Sequence, residues 1–214
     1  MNHIELTPEL ILQAYANGVF PMAESREDES LFWVDPRERG IIPLNGFHIS
    51  RSLARLIRQD RYRVSFDQAF EAVMEGCADR DETWINDTIF ELYTELHEMG
   101  FGHSVELWDG DRLVGGTYGL ALGTAFFGES MFSRVPSASK IVLAYLVAHL
   151  KRSGFTLFDT QFLTEHLASL GGIEIPRSQY RSLLSNTLTT RANFTAHTER
   201  LTPQDVLQLR GQMS

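Results

Sequence analysis

From His103 to Phe162 the chain runs through three strand-like segments, HSVELWD, RLVGGTYGLALG and TAFFGESMF. A long apolar helix, KIVLAYLVAHLKRSG, and a further strand-like stretch, GFTLFDTQF, follow them. This order constrains the fold more than any other feature. The turn signals Asp109-Gly110 and Leu122-Gly123 join the first three segments into an expected antiparallel meander. Upstream, YRVSF reads as a strand, with Asp67 expected as the N-cap of the helix QAFEAVMEGCAD. A second helix, NDTIFELYTELHEMG, is closed by Gly100, and a last helix is expected from about Thr164. The order β-α-α-β-β-β-α-β-α predicts an α+β fold with a mostly antiparallel central sheet.

Ahead of that domain, TPELILQAYANG reads as a short helix capped by Thr7, with Glu9 in the first turn and Gly18 at its end. Residues 19–47 are rich in Pro, Gly and charge, with aromatic islands that suggest short strands and turns. The expected organisation is a small N-terminal α/β subdomain over residues 1–61, a larger domain over 62–185, and a polar C-terminal tail over 186–214 with one late helical segment.

The chain has 214 residues and a single cysteine, Cys77, so neither an internal disulfide nor a cysteine metal site is expected. Its histidines show no metal-ligand spacing, and no metal is expected. Apolar runs are too short to span a bilayer and the first residues lack signal-peptide order, which predicts a soluble, cytoplasmic protein with no membrane partner. A net charge of -9 argues against indiscriminate nucleic-acid binding. Locally, however, Arg51, Arg55 and Arg58 recur at helical spacing in SRSLARLIRQDRYR, with Leu53, Leu56 and Ile57 on the other side. Such a ridge is either an ordinary solvated face or a phosphate-binding one.

The stretch Phe158-Asp159-Thr160-Gln161-Phe162 carries the main chemical signal. Strand alternation places Asp159 and Gln161 on one face. Burying a carboxylate or an amide unpartnered is costly, so their presence in an apolar strand implies either a satisfied polar network or a site.

The element order resembles that of GNAT-type acyltransferases. Acetyl-CoA enzymes of that type carry a glycine-bearing turn before the long helix, whereas here the turn is Arg134-Val135-Pro136-Ser137-Ala138-Ser139. Four stretches, YANGVFPM, HISRSLARL, GGTYGLALGTAFFGESMFSRVPSASK and FDTQFLTEHLASLGGIEIPR, together resemble the leucyl/phenylalanyl-tRNA protein transferase family from about Ile11 to Leu184. The resemblance implies transfer of Leu or Phe, and less readily Met, from aminoacyl-tRNA to the N-terminal Lys or Arg of a protein. That transfer marks the protein for N-end rule degradation. No cofactor is implied, and a monomer is expected.

Residue by residue, the resemblance implies that Asp159 accepts a hydrogen bond from the Gln161 side-chain amide while Gln161 orients the incoming amine. Glu129 is implied to contact substrate, with an inter-strand ion pair as the alternative. Phe126, Met131, Leu146 and Phe158 match positions of the amino-acid pocket, although each also suits a plain core, and Thr117 stands where the family commonly has a pocket Met. Trp84 is implied to stack on the terminal adenine, or else anchors its loop, and Met22 stands where the family often has a second aromatic wall. The Arg51, Arg55 and Arg58 ridge becomes an expected tRNA contact. Two other readings stay open: an acetyl-CoA-dependent N-acetyltransferase and a noncatalytic adaptor for basic N-termini.

Overall fold

The computed structural model describes residues 6–23, 25–26, 31–81, 83–197 and 199–208 of the chain. Helix α1 (Pro8–Ala16) is followed by β1 (Phe20–Met22) and β2 (Phe32–Val34), which pair only with each other. Then come β3 (Glu38–Ile41), α2 (Arg51–Arg58), β4 (Arg63–Phe66), α3 (Phe70–Ala78) and α4 (Asp87–Glu98). The meander β5 (Gly102–Asp109), β6 (Arg112–Leu122) and β7 (Ala125–Ser133) leads into α5 (Ala138–Arg152) and β8 (Leu157–Gln161). The chain continues through α6 (Glu165–Ala168), β9 (Ile173–Pro176), α7 (Arg177–Thr187), a 3-10 turn at Phe194–Ala196 and α8 (Pro203–Leu207).

Seven strands form one sheet in the order β4-β5-β6-β7-β8-β3-β9. Neighbours are antiparallel except β7 and β8, which run parallel with α5 as their crossover. The α+β architecture expected from the sequence is therefore present. Alternation along a strand sends neighbouring side chains into opposite cores. On β7, Phe126 enters the core beneath α5 and Phe127 enters the one that also holds Tyr15, Met74 and Tyr93. Helix α5 is apolar on all sides because it is covered on all sides: Ile141 to Leu150 are all buried.

Three local expectations change. Asp67 does not cap α3; the N-cap is Ala69 without a side-chain bond. Asp67 instead turns the chain with φ +54, and its carboxylate accepts from His103 Nδ1 and from the Ser104 amide, both at 2.8 Å. Strand chemistry outcompetes the cap. Thr164 does cap a helix, but α6 ends after four residues. Gly171 (φ +94) turns the chain where a Cβ would meet the Gly46 carbonyl oxygen at 2.2 Å. Ile173-Glu174-Ile175 then extends as β9, where the sequence pattern predicts helix.

Strand β3 lies between β8 and β9, so the segment expected as a separate N-terminal subdomain supplies a strand of the seven-stranded sheet. Gly40 permits this packing, since a Cβ there would sit 2.6 Å from the Phe162 backbone. Described residues of the tail beyond residue 186 are also packed down. Phe194, Leu201 and Val206 are buried in the core beneath α5.

Candidate active site

The site grows from the parallel pair β7 and β8, where Phe126 lies opposite Phe158 and Phe127 opposite Asp159. Two residues further along each strand, Glu129 and Gln161 meet, with the Gln161 Nε2 donating to Glu129 Oε1 at 3.2 Å. Gln161 adopts φ +57, a left-handed conformation uncommon outside glycine. It ends β8 with a turn that brings Thr160 and Gln161 to the wall of one cavity.

Asp159 is fully buried and densely bonded. Arg39 grips it through Nε at 2.9 Å and Nη2 at 2.7 Å, the Tyr180 hydroxyl donates to it at 2.5 Å, and the Gln161 backbone amide donates at 2.8 Å. The Arg39 guanidinium is held between the rings of Phe20 and Tyr180, 4.6 and 4.5 Å from their centroids, and donates to the Gly18 carbonyl. A bidentate, stacked arginine is the arrangement that best offsets the desolvation of a buried carboxylate. The expected contact between Asp159 and the Gln161 side chain is thus replaced. Asp159 holds the backbone of Gln161, and the side chain, turned by its left-handed φ, reaches Glu129 instead.

Glu129 is bonded to phenols. Tyr15 donates to its Oε1 at 2.7 Å and Tyr93 to its Oε2 at 3.3 Å, while the two hydroxyls lie 2.6 Å apart. Burial pushes the Glu129 carboxyl up to about 8, with the Tyr15 bond opposing and the charge of Asp159 adding to the rise. Its partners are two phenols and an amide rather than the cation of an inter-strand ion pair.

The cavity, about 340 Å³, has Glu129, Gln161 and Thr160 on its polar side and Met131, Leu143 and Phe158 on its apolar side. Thr117 also lines it, although its hydroxyl is taken by the Ser130 carbonyl at 2.8 Å. Phe126 and Leu146 do not line it. Both are 0% exposed within the core beneath α5, where Phe126 packs on Phe155, Phe158 and Phe194. They support the cavity floor from behind because their neighbours along the sheet and helix occupy the wall.

Met22 and Trp84 are half-buried against the core that also holds Tyr15 and Tyr93, and neither is among the residues lining this cavity. Met22 pairs with Phe32 across β1 and β2. Trp84 immediately precedes Ile85 and Asn86, which line a neighbouring cavity of about 550 Å³ that shares Arg80 with the first. On α2, Arg51, Arg55 and Arg58 are exposed while Leu53, Ala54 and Ile57 are buried on the opposite face.

Arg39, Tyr180, Tyr15 and Tyr93 were not singled out in the sequence. Arg39 sits in a charged, turn-rich stretch, and the tyrosines sit in ordinary amphipathic helices. No local pattern marks them. Among the described residues, no group of three or more His, Cys, Asp or Glu side chains is placed to hold a metal ion.

Comparisons with known proteins agree with one another. A family profile described as leucyl/phenylalanyl-tRNA protein transferase matches residues 41–185, and that of the family's N-terminal domain matches residues 4–37. A protein named leucyl/phenylalanyl-tRNA--protein transferase from Cereibacter sphaeroides is 59% identical over 209 residues, 98% of each chain. One of the same name from Roseobacter denitrificans is 56% identical over 211 residues, covering 99% of this chain and all of the relative. Among solved structures, FemX is 12% identical with a TM-score of 0.50, over 83% of this chain and 71% of its own, a likeness of fold. The chain belongs to the leucyl/phenylalanyl-tRNA protein transferase family.

Proposed function

We propose that the protein is an aminoacyltransferase that moves Leu or Phe, and less readily Met, from aminoacyl-tRNA to the N-terminal Arg or Lys of a protein, in the cytoplasm and as a monomer. The observation that carries this reading is the family match over nearly the whole chain, joined to a cavity in which an amide and a carboxyl face an apolar wall. Among the described residues, no helix is long and apolar enough to cross a membrane.

An aminoacyl ester is already activated toward amines, so the main task is orientation, worth up to roughly 7 to 11 kcal/mol. The amino-acid side chain lies against Met131, Phe158 and Leu143. Flexible Met131 adapts to Leu or Phe, and a chain branched at Cβ fits less well. Asp159, locked by Arg39 and Tyr180, fixes the backbone at Gln161. The Gln161 amide nitrogen is committed to Glu129, which turns its carbonyl oxygen toward the incoming amine.

The amine arrives as an ammonium and must lose one proton before attack. An α-amino group has an ordinary pKa of about 8, so a fraction of it has already released that proton to solvent at neutral pH, while the Glu129 carboxyl, pushed up to about 8 by burial, keeps its own. The neutral amine then attacks the ester carbon, the bond to the ribose 3′-oxygen breaks, and the nitrogen's second proton leaves with that oxygen. Glu129 meets the first residue of the peptide as a hydrogen-bonding carboxyl that is mostly neutral at neutral pH. Trp84 and Met22, outside the cavity itself, take the terminal adenine in this reading.

The exposed ridge Arg51, Arg55 and Arg58 takes backbone phosphates of the tRNA, a contact that positions without reading sequence. Replacing all three with Ala should weaken tRNA binding and lower the salt dependence by about three phosphate contacts. An unchanged salt slope removes the ridge from the interface.

The direct test is incubation with radiolabelled Leu-tRNA and an Arg-starting peptide, without added CoA. Label in the peptide is expected. Failure to label any peptide from Leu-tRNA, with label transferred only when radiolabelled acetyl-CoA is the donor, would replace this reading by an acetyltransferase.

A further inference from the structure

Two polar atoms at the wall of the reaction cavity are enclosed and have no partner among the described residues: Thr160 Oγ1 and His166 Nε2. Leaving such a group unpaired costs about 1–3 kcal/mol, so two in one cavity mark a place for a polar ligand. Their position follows from the backbone. Regular alternation would send Thr160 to the face opposite Gln161, but the left-handed turn at Gln161 brings both to the same wall. Thr164 caps α6 and fixes the first turn that carries His166.

The surroundings say which part of a substrate belongs there. His166 lines both the reaction cavity and an adjoining one of about 380 Å³, and the two share Arg80 and Met131. Arg80 is pinned at this seam by bonds to Ser130 Oγ and the Met131 carbonyl. The adjoining cavity also carries Arg134, 3.6 Å from Asp79, so two guanidiniums face one carboxylate. Burial and the charge of Lys140 lower the His166 pKa, which keeps the ring neutral, with one donor and one acceptor nitrogen. The pair therefore lies between Glu129, which suits an amine, and cations that suit phosphate.

We propose that His166 and Thr160 form a recognition site for the 2′-hydroxyl of the terminal ribose of the aminoacyl-tRNA, an inference that rests on the transferase reading above. A 2′-hydroxyl both donates and accepts. It gives its hydrogen to His166 Nε2 and receives one from Thr160 Oγ1, which pairs both orphan atoms and sets the neighbouring 3′-ester beside Gln161. The terminal phosphate then faces Arg80 and Arg134.

The test compares Leu-tRNA ending in adenosine with Leu-tRNA ending in 2′-deoxyadenosine, charged on the 3′-oxygen. With wild-type protein, loss of the hydroxyl should lower kcat/KM for the tRNA by about three- to tenfold. Thr160→Val, which keeps the shape of the side chain, and His166→Phe should each cause a loss of that size with the ribose substrate. Each should add little with the deoxy substrate and leave the KM for the peptide unchanged. A wild-type enzyme indifferent to the hydroxyl, or variants impaired equally on both substrates, would overturn the assignment while leaving the transferase reading intact. No transfer from the ribose substrate by the wild type would remove both.

Discussion

Two buried carboxylates on the same sheet, Glu106 on β5 and Glu129 on β7, start from the same difficulty and end in different roles. Burial raises both above the usual carboxylate range. Glu106 is fully enclosed and met by two hydroxyls, Ser65 and Ser104, each at 2.5 Å, with Trp108 Nε1 donating in turn to Ser65 at 2.8 Å. Glu129 is met by phenols and an amide at 2.7 to 3.3 Å and opens on a cavity whose wall keeps two orphan polar atoms. Buried polarity alone therefore does not mark a site. What marks it is polarity left partly unanswered beside a space.

The comparison breaks most readily at the anchor of the reactive side. Arg39→Ala strands Asp159 as an unpaired buried charge, and stability should fall by about 3–5 kcal/mol, read from denaturant unfolding. A loss below 1 kcal/mol would mean that the ion pair is not the frame of the site.

Gln161→Ala should leave the fold intact and slow single-turnover transfer by about 100-fold, the size of effect expected when a nucleophile loses its alignment. Unaltered transfer at limiting peptide would take the orienting role from Gln161.

Glu129→Gln probes the pH behaviour. The native carboxyl holds its proton up to about 8 whereas the unfolded one releases it near its ordinary 4.5. Between those values the native state binds more protons, so wild-type stability declines as pH rises through that window. The variant lacks this decline. Its melting temperature should match the wild type near pH 4.5 and exceed it by pH 8, with about 2–4 °C per kcal/mol gained. Transfer should fall in the same variant. A constant difference across pH would make Glu129 an ordinary carboxylate.

The smallest effect on chemistry should come from the other region. Ser65→Ala leaves Glu106 and Trp108 short of a partner and should cost about 1–3 kcal/mol of stability, with transfer within about twofold of wild type. Loss of transfer without loss of stability would erase the contrast between the two carboxylates.

Much of the frame was legible in the chain. The meander, its turns at Gly110 and Gly123 (φ +61 and +63), the covered helix α5 and the exposed arginine face of α2 all follow from period and turn chemistry. Asp159 and Gln161 stood out because a carboxylate and an amide are expensive in an apolar strand. Their actual bonding was not legible, since it depends on Arg39, Tyr15, Tyr93 and Tyr180, which come from four distant elements.

By itself, the order of residues determined most of the strands and helices, the short α6 and β9 excepted, which face of each is apolar, and that one strand carries an anomalous polar pair. The tertiary structure alone decided that Phe126 and Leu146 lie under the cavity while Met131 and Phe158 line it, that β3 slips in beside β8, and that Gln161 turns toward Glu129. The physical reason is that periodicity reports which side of an element avoids water. What covers that side depends on long-range packing, and so does whether a gap remains there.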